Sequence, residues 1–223
     1  MKKTKSVLLV ANGEPQSDLD VLVSQHDFLI AVDGGLRHLL SRNLMPDLLI
    51  GDLDSITQAE LPVCQQQQVE ILRFKPDKDE SDLELALLEA SHRGFQKITI
   101  ACASGGRIDH MLSSLALLFH PALQGLEVVF LDGFSRISVV DGELTLPTAP
   151  ADLISLLPWG RTASGVSTVG LRYPLNGETL LPYKTRGLSN VALGNQISVR
   201  LREGQLLVIH THKETLRKQE PDA

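Results

Sequence analysis

Between Ser6 and about Asp132, short apolar runs alternate with longer stretches of helical periodicity, and this alternation limits the possible folds more than any other feature. The runs are Val7 to Ala11, Phe28 to Val32, Leu48 to Ile50, Val69 to Phe74, Ile98 to Ala103 and Val128 to Leu131. Between them lie helix candidates at Asp18 to Ser24, Leu36 to Ser41, Thr57 to Gln68, Ser81 to Arg93 and Ile108 to Phe119. In the fourth, Leu83, Ala86, Leu87 and Ala90 fall at helical spacing and Gly94 stands where a C-terminal cap belongs. Strands separated by helical crossovers are βαβ units, so residues 1–134 predict an α/β domain with a mostly parallel, six-stranded, Rossmann-like sheet.

The texture changes after Asp132. Ser135 to Val140, Leu153 to Leu157, Val191 to Leu193, Ile197 to Leu201 and Leu206 to Ile209 are short and separated by Gly, Pro, Asn or Asp, with no helical pattern between them. They predict an all-β, sandwich-like domain over 135–215, with hairpin turns at Asp141-Gly142 and Glu203-Gly204 and a frayed tail over 216–223.

With 223 residues, 43% of them hydrophobic, the chain has enough apolar material for a real core. Its net charge of -6 argues against a general electrostatic grip on nucleic acid or on an anionic membrane. No apolar stretch approaches the roughly 20 residues that span a bilayer. The basic start before Val7 leads into a run too short for a signal peptide, which reads as the first strand. Two distant cysteines, Cys64 and Cys102, predict reduced thiols and a cytoplasmic protein rather than a disulfide framework.

Polar residues follow each of the first five strands: Asn12-Gly13, Asp33-Gly34-Gly35, Asp52-Leu53-Asp54-Ser55, Asp77 to Asp82, and Ser104-Gly105-Gly106-Arg107-Ile108-Asp109-His110. In a parallel sheet these ends share one edge, so carboxylates scattered in sequence converge in space. Asp52 and Asp54 suit a hard cation such as Mg2+, which takes oxygen ligands; taken alone, they fit an acidic helix-capping loop equally well. Asp79 and Asp82 sit at the mouth of a helix, where an acidic residue also favours the helix dipole. Gly105-Gly106-Arg107 offers backbone N–H groups and a guanidinium to a phosphate, although Arg107 could instead pair with Asp109. His110 is a weaker phosphate candidate, and His210 and His212 lack a third ligand in the sequence.

Neither a GxxxxGK[ST] loop nor a GxGxxG fingerprint is present. Carboxylates, a Gly-Gly-Arg loop and Lys78 together describe a site for Mg2+ and polyphosphate, and hence nucleotide-dependent phosphoryl or pyrophosphoryl transfer.

These segments resemble the thiamine pyrophosphokinase (thiamine diphosphokinase) family in order and spacing over nearly the whole chain, and Gly187-Leu188-Ser189-Asn190 is similar to the family's segment near thiamine. The resemblance implies transfer of the diphosphoryl group of ATP to the thiamine hydroxyl, giving thiamine diphosphate and AMP. It implies Mg2+ and polyphosphate on Asp52, Asp54 and Asp82, with Asp33 and Asp79 shaping the acidic pocket beside Gly34 and Gly35. Lys78 and Arg107 would neutralise phosphate, Asp109 would orient Arg107 or a second metal, and Ser189 and Asn190 would meet thiamine. A homodimer with active sites between subunits is also implied. Where some relatives place a tryptophan against thiamine, this chain has Leu206, Leu207 and Val208. The rival readings are a pyrophosphokinase for a pterin, a nucleotide-sensing module, and a haloacid dehalogenase-like phosphatase, which Asp52-Leu53-Asp54 imitates although Ile56 replaces the expected threonine.

Overall fold

A computed structural model of the chain describes residues 5–133 and 135–213, so the tail expected over 216–223 lies outside the described residues. The strands form a mixed sheet and a separate antiparallel sheet. The chain divides into two compact units after Gly133.

The first unit contains strands β1 (Ser6–Val10), β2 (Phe28–Val32), β3 (Leu48–Gly51), β4 (Glu70–Arg73), β5 (Lys97–Ala101) and β6 (Glu127–Asp132). Helices α1 (Leu19–Ser24), α2 (Leu36–Leu40), α3 (Glu60–Gln66), α4 (Asp82–His92) and α5 (Ile108–Leu117) connect them. The strand order is β6-β5-β1-β2-β3-β4, and every neighbouring pair is parallel. β3 is buried throughout and β1 from Val7 onward, which explains their apolar runs. β4 carries exposed Glu70 and Arg73, polar ends that suit an edge strand. Helix α4 buries Leu83, Ala86, Leu87 and Ala90; Ser81 caps its start by accepting from the Glu84 N–H at 3.2 Å. The order reverses at β1, which has β2 on one side and β5 on the other, so the crevice for a ligand is expected at these strand exits.

The second unit contains β7 (Ser135–Val140), β8 (Glu143–Pro147), β9 (Leu153–Pro158), β10 (Ala163–Val169), β11 (Glu178–Leu180), β12 (Asn190–Val191), β13 (Gln196–Arg200) and β14 (Leu206–Thr211). One antiparallel layer runs β12-β9-β14-β7, the other β11-β10-β13-β8. Ile154, Leu156, Leu206 and Val208 of the first layer share a core with Val166, Leu180, Ile197 and Val199 of the second. Asp141-Gly142 joins β7 to β8 and Glu203-Gly204 lies between β13 and β14; each turn passes from one layer to the other. Neither makes the expected hairpin. A turn signal marks a reversal of the chain without saying which strand will be the partner.

Among the described residues no helix is long and apolar enough to cross a membrane. Cys64 and Cys102 are buried and free.

Gly35 shows how tightly the strand exits pack, because a Cβ there would run into the Val10 carbonyl oxygen at the end of β1. Gly35→Ala is expected to cost about 1–3 kcal/mol, the usual range for overpacking against an unyielding neighbour. Urea unfolding measures it; an unchanged midpoint would contradict the packing described.

Candidate functional site

Three carboxylates meet where β2 and β3 end and α4 begins. Asp33 directly follows β2, Asp52 directly follows β3, and Asp82 opens α4. One oxygen from each lies within 4.8 Å of the others. The register of the parallel pair, Val32 opposite Ile50, aligns the two strand exits. Gly51 makes the convergence possible: at φ +149°, a Cβ there would lie 3.0 Å from Asp33 Cβ and 3.3 Å from Asp82 Cγ.

Asp33 is only 8% exposed, takes a left-handed φ of +44°, and its buried Oδ1 has no hydrogen-bond partner. Lys78 Nζ stands 3.0 Å from Asp82 Oδ1 and 3.4 Å from Asp52 Oδ2. The Asp54 backbone N–H, with the Lys78 charge, holds the Asp52 carboxyl below its ordinary pKa against the opposing effect of burial. Burial pushes Asp82 up, Asp52 and Asp33 add to the rise, and Lys78 offsets only part of it. Burial works to lower the Lys78 ammonium, but Asp82 and Asp52 outweigh it and the group is held above the usual lysine value. One ammonium, paired with two of the three acids, leaves negative charge uncompensated. An orphaned buried oxygen in an all-carboxylate donor set fits a hard divalent cation.

The other expected residues fall as follows. Asp54 is exposed and outside this group: Leu53 takes φ +66°, which breaks the strand alternation that would put Asp52 and Asp54 on one face. The Asp54 N–H turns back to Asp52 Oδ1 at 3.1 Å, and its own Oδ1 accepts from Ser55 Oγ at 3.1 Å. Asp79 is exposed. Gly34 packs against the Asn12 side chain and Gly105 against Glu14. The exits of β1 and β5 are laced together by Ala11 N–H to Ala101 O (2.9 Å), Gly13 N–H to Cys102 O (2.5 Å) and Glu14 N–H to Ser104 O (2.8 Å). Residues 105–110 are exposed, and Gly105 and Gly106 take φ +81° and +61°. Arg107 Nη2 donates to Asp109 Oδ2 at 2.6 Å, the pairing weighed from the sequence.

In the second unit, Ser189 is exposed at φ +54°, and its N–H donates to Ser155 Oγ at 3.0 Å. Asn190 is buried. Its Oδ1 accepts from the Tyr173 and Val191 N–H groups at 3.0 and 2.9 Å, and its Nδ2 donates to Tyr173 O at 2.7 Å. The Asn190 amide is thus occupied inside the protein.

Gly51 was not counted among the site residues read from the sequence, although it directly precedes Asp52 and leaves the space in which the acids meet.

Residues 19–130 match the family described as "Thiamin pyrophosphokinase, catalytic domain", and residues 143–206 match "Thiamin pyrophosphokinase, vitamin B1 binding domain". This chain belongs to the thiamin pyrophosphokinase family. Thiamine pyrophosphokinase of Bacillus subtilis (strain 168) is 27% identical over 211 residues, 93% of this chain and 99% of the relative. A crystal structure of the Bacillus subtilis thiamine pyrophosphokinase shares the fold with a TM-score of 0.85 at 26% identity, over 94% of this chain and 100% of that one. A thiamin pyrophosphokinase family protein from Enterococcus faecalis gives 0.82 at 27% identity, over 94% and 99%. As a thiamin pyrophosphokinase family member the chain is an enzyme, and the pterin, phosphatase and sensor readings are not favoured.

The raised pKa of Asp82 fixes the sign of a stability effect. Its charged form is less favourable in the folded chain than in the unfolded one, so above the carboxylate range that charge subtracts from stability. Asp82→Asn removes the charge and is expected to raise the urea midpoint of metal-free protein at mildly alkaline pH. It should also erase any increase that a millimolar divalent cation gives the parent. An unaltered response to that cation in the variant would remove Asp82 from the cation site.

Proposed function

We propose that the chain transfers the diphosphoryl group of ATP to the hydroxyl of thiamine, with Mg2+ as the ion and Asp33, Asp52 and Asp82 as its carboxylates. The observation that carries this reading is the convergence of these acids around the unpartnered Asp33 Oδ1, in a chain of this family. The thiamine oxygen bonds to the β-phosphorus, the bond from that phosphorus to the α,β-bridging oxygen breaks, AMP departs with that oxygen, and the hydroxyl proton is released. Bound Mg2+ supplies charge neutralisation and polarisation at the polyphosphate oxygens.

The remaining groups are assigned by chemistry and position. Lys78, already drawn between Asp52 and Asp82, neutralises a phosphate oxygen once the acids have an ion to share. Gly105 and Gly106 expose backbone N–H groups at the start of α5, and Arg107 turns from Asp109 to phosphate at small cost, because an exposed ion pair holds weakly. His110 lies on the same loop edge. Asp54 serves as a further carboxylate for the ion and nucleotide, and Asp79 adds negative charge at the rim. In the second unit, the Ser189 hydroxyl and the backbone around Asn190 are assigned to thiamine, with the Asn190 amide holding that segment in shape. The residues matched by the two family descriptions support a catalytic first domain and a thiamine-binding second domain. A homodimer with its active site at the subunit interface, working in the cytoplasm, completes the proposal.

Purified protein given ATP, Mg2+ and thiamine is expected to form AMP and thiamine diphosphate in equal amounts. ADP with thiamine monophosphate would refute diphosphoryl transfer. Asp54→Asn should lose most turnover, roughly 100-fold or more if one charge-stabilising contact is removed, while keeping the parent's circular dichroism. Near-parental turnover would take Asp54 out of the site.

A further inference from the structure

Asp152, His210 and His212 form a second group of potential ligands, with one donor atom from each within 4.8 Å of the others. The two histidines had no third ligand in the sequence; the fold supplies it by bringing the residue before β9 to the end of β14, where His210 pairs with Ile154. Nε2 of His210 lies 2.7 Å from Asp152 Oδ2, and Nδ1 of His212 lies 3.3 Å from the same oxygen. The two imidazole rings meet edge to face at 4.4 Å between centroids.

We propose that Asp152, His210 and His212 bind a borderline divalent transition-metal ion of the Zn2+ class. Two imidazole nitrogens and one carboxylate oxygen match that class, whereas Mg2+ prefers oxygen alone. Around a tetrahedral Zn2+ with bonds of about 2.0–2.1 Å, donor atoms stand about 3.3 Å apart. The His212 contact already has that separation, and the His210 contact needs to open by only about 0.6 Å to reach it. The ion takes the place of the proton between His210 Nε2 and Asp152, which moves to Nδ1 or to solvent.

Asp152 is held ready for this role. It is 2% exposed, with Oδ2 accepting from the Ala149 N–H at 2.9 Å and Oδ1 from the Lys213 N–H at 3.1 Å. Such outer hydrogen bonds orient a metal-binding carboxylate. His210 is 3% exposed and fixed in a strand, while the His212 side chain is 52% exposed, giving the ion an entry path and leaving a position for water. The bound ion would tie the segment after β14 to the start of β9 and stabilise the fold by mass action.

The test uses untagged full-length protein, stripped with chelator and kept in excess Mg2+ so that the carboxylate group of the first unit is occupied. Co2+ added as the probe is expected to give, at one equivalent, the visible d–d bands of nitrogen ligation. Zn2+ should displace it and raise the thermal midpoint. His212→Ala and His212→Gln, at a half-exposed position, should keep the fold and lose about tenfold or more in Co2+ affinity, together with the Zn2+-dependent shift. Asp52→Asn should retain the bands. Absence of bands at millimolar Co2+, unchanged affinity in both His212 variants, or loss of the bands in Asp52→Asn would overturn the proposal.

Discussion

The edge of the first unit is organised by three carboxylates held within 4.8 Å of one another. Asp33, Asp52 and Asp82 converge only because parallel pairing aligns the exits of β2 and β3, and because the apolar face of α4 brings Asp82 to the same edge. Gly51 leaves the space a side chain would fill. Burial, with the like charges of Asp52 and Asp33 added to it, raises the pKa of Asp82, and Lys78 offsets only part of that rise. Like charges gathered and partly buried at a strand edge are the arrangement that a bound cation would relieve.

Much of this architecture was legible in the chain because the signals were local. Phe28–Val32 and Ser135–Val140 fall where their apolar patterns placed them, and Ser81 and Gly94 flank α4 as capping chemistry requires. Strands β8, β10 and β11 were not legible. Their residues include Pro147, Ala163, Ser164 and Gly165, which are weak strand formers, and β11 has only three residues. β10 also shifts register between Ala163 and Val166, around Gly165 at φ +68°. β10 is held between β11 and β13, while β8 and β11 close the edges of that layer, and all three form because a paired neighbour and a shared core reward them, a long-range effect that no window of sequence reports.

The carboxylate site shows the same division. Strand-end logic pointed to the edge where Asp33, Asp52 and Asp82 meet, but it could not rank the acids there. Asp52 and Asp54 look equivalent by spacing until Leu53 enters the left-handed region and turns Asp54 outward. Asp33, read as a residue shaping the pocket, is the acid with the orphaned oxygen, because burial depends on packing around Gly34 and Gly35. In the second unit, His210 and His212 lacked a partner along the chain and acquired Asp152 only through antiparallel pairing of β9 with β14.

A crystal structure with Mn2+ and an ATP analogue whose α,β-bridging oxygen is replaced by methylene tests the carboxylate site. An anomalous manganese peak is expected within coordinating distance of carboxylate oxygens of Asp33, Asp52 and Asp82, with the polyphosphate on the same ion. Manganese bound to the nucleotide with all three carboxylates out of reach would contradict that site.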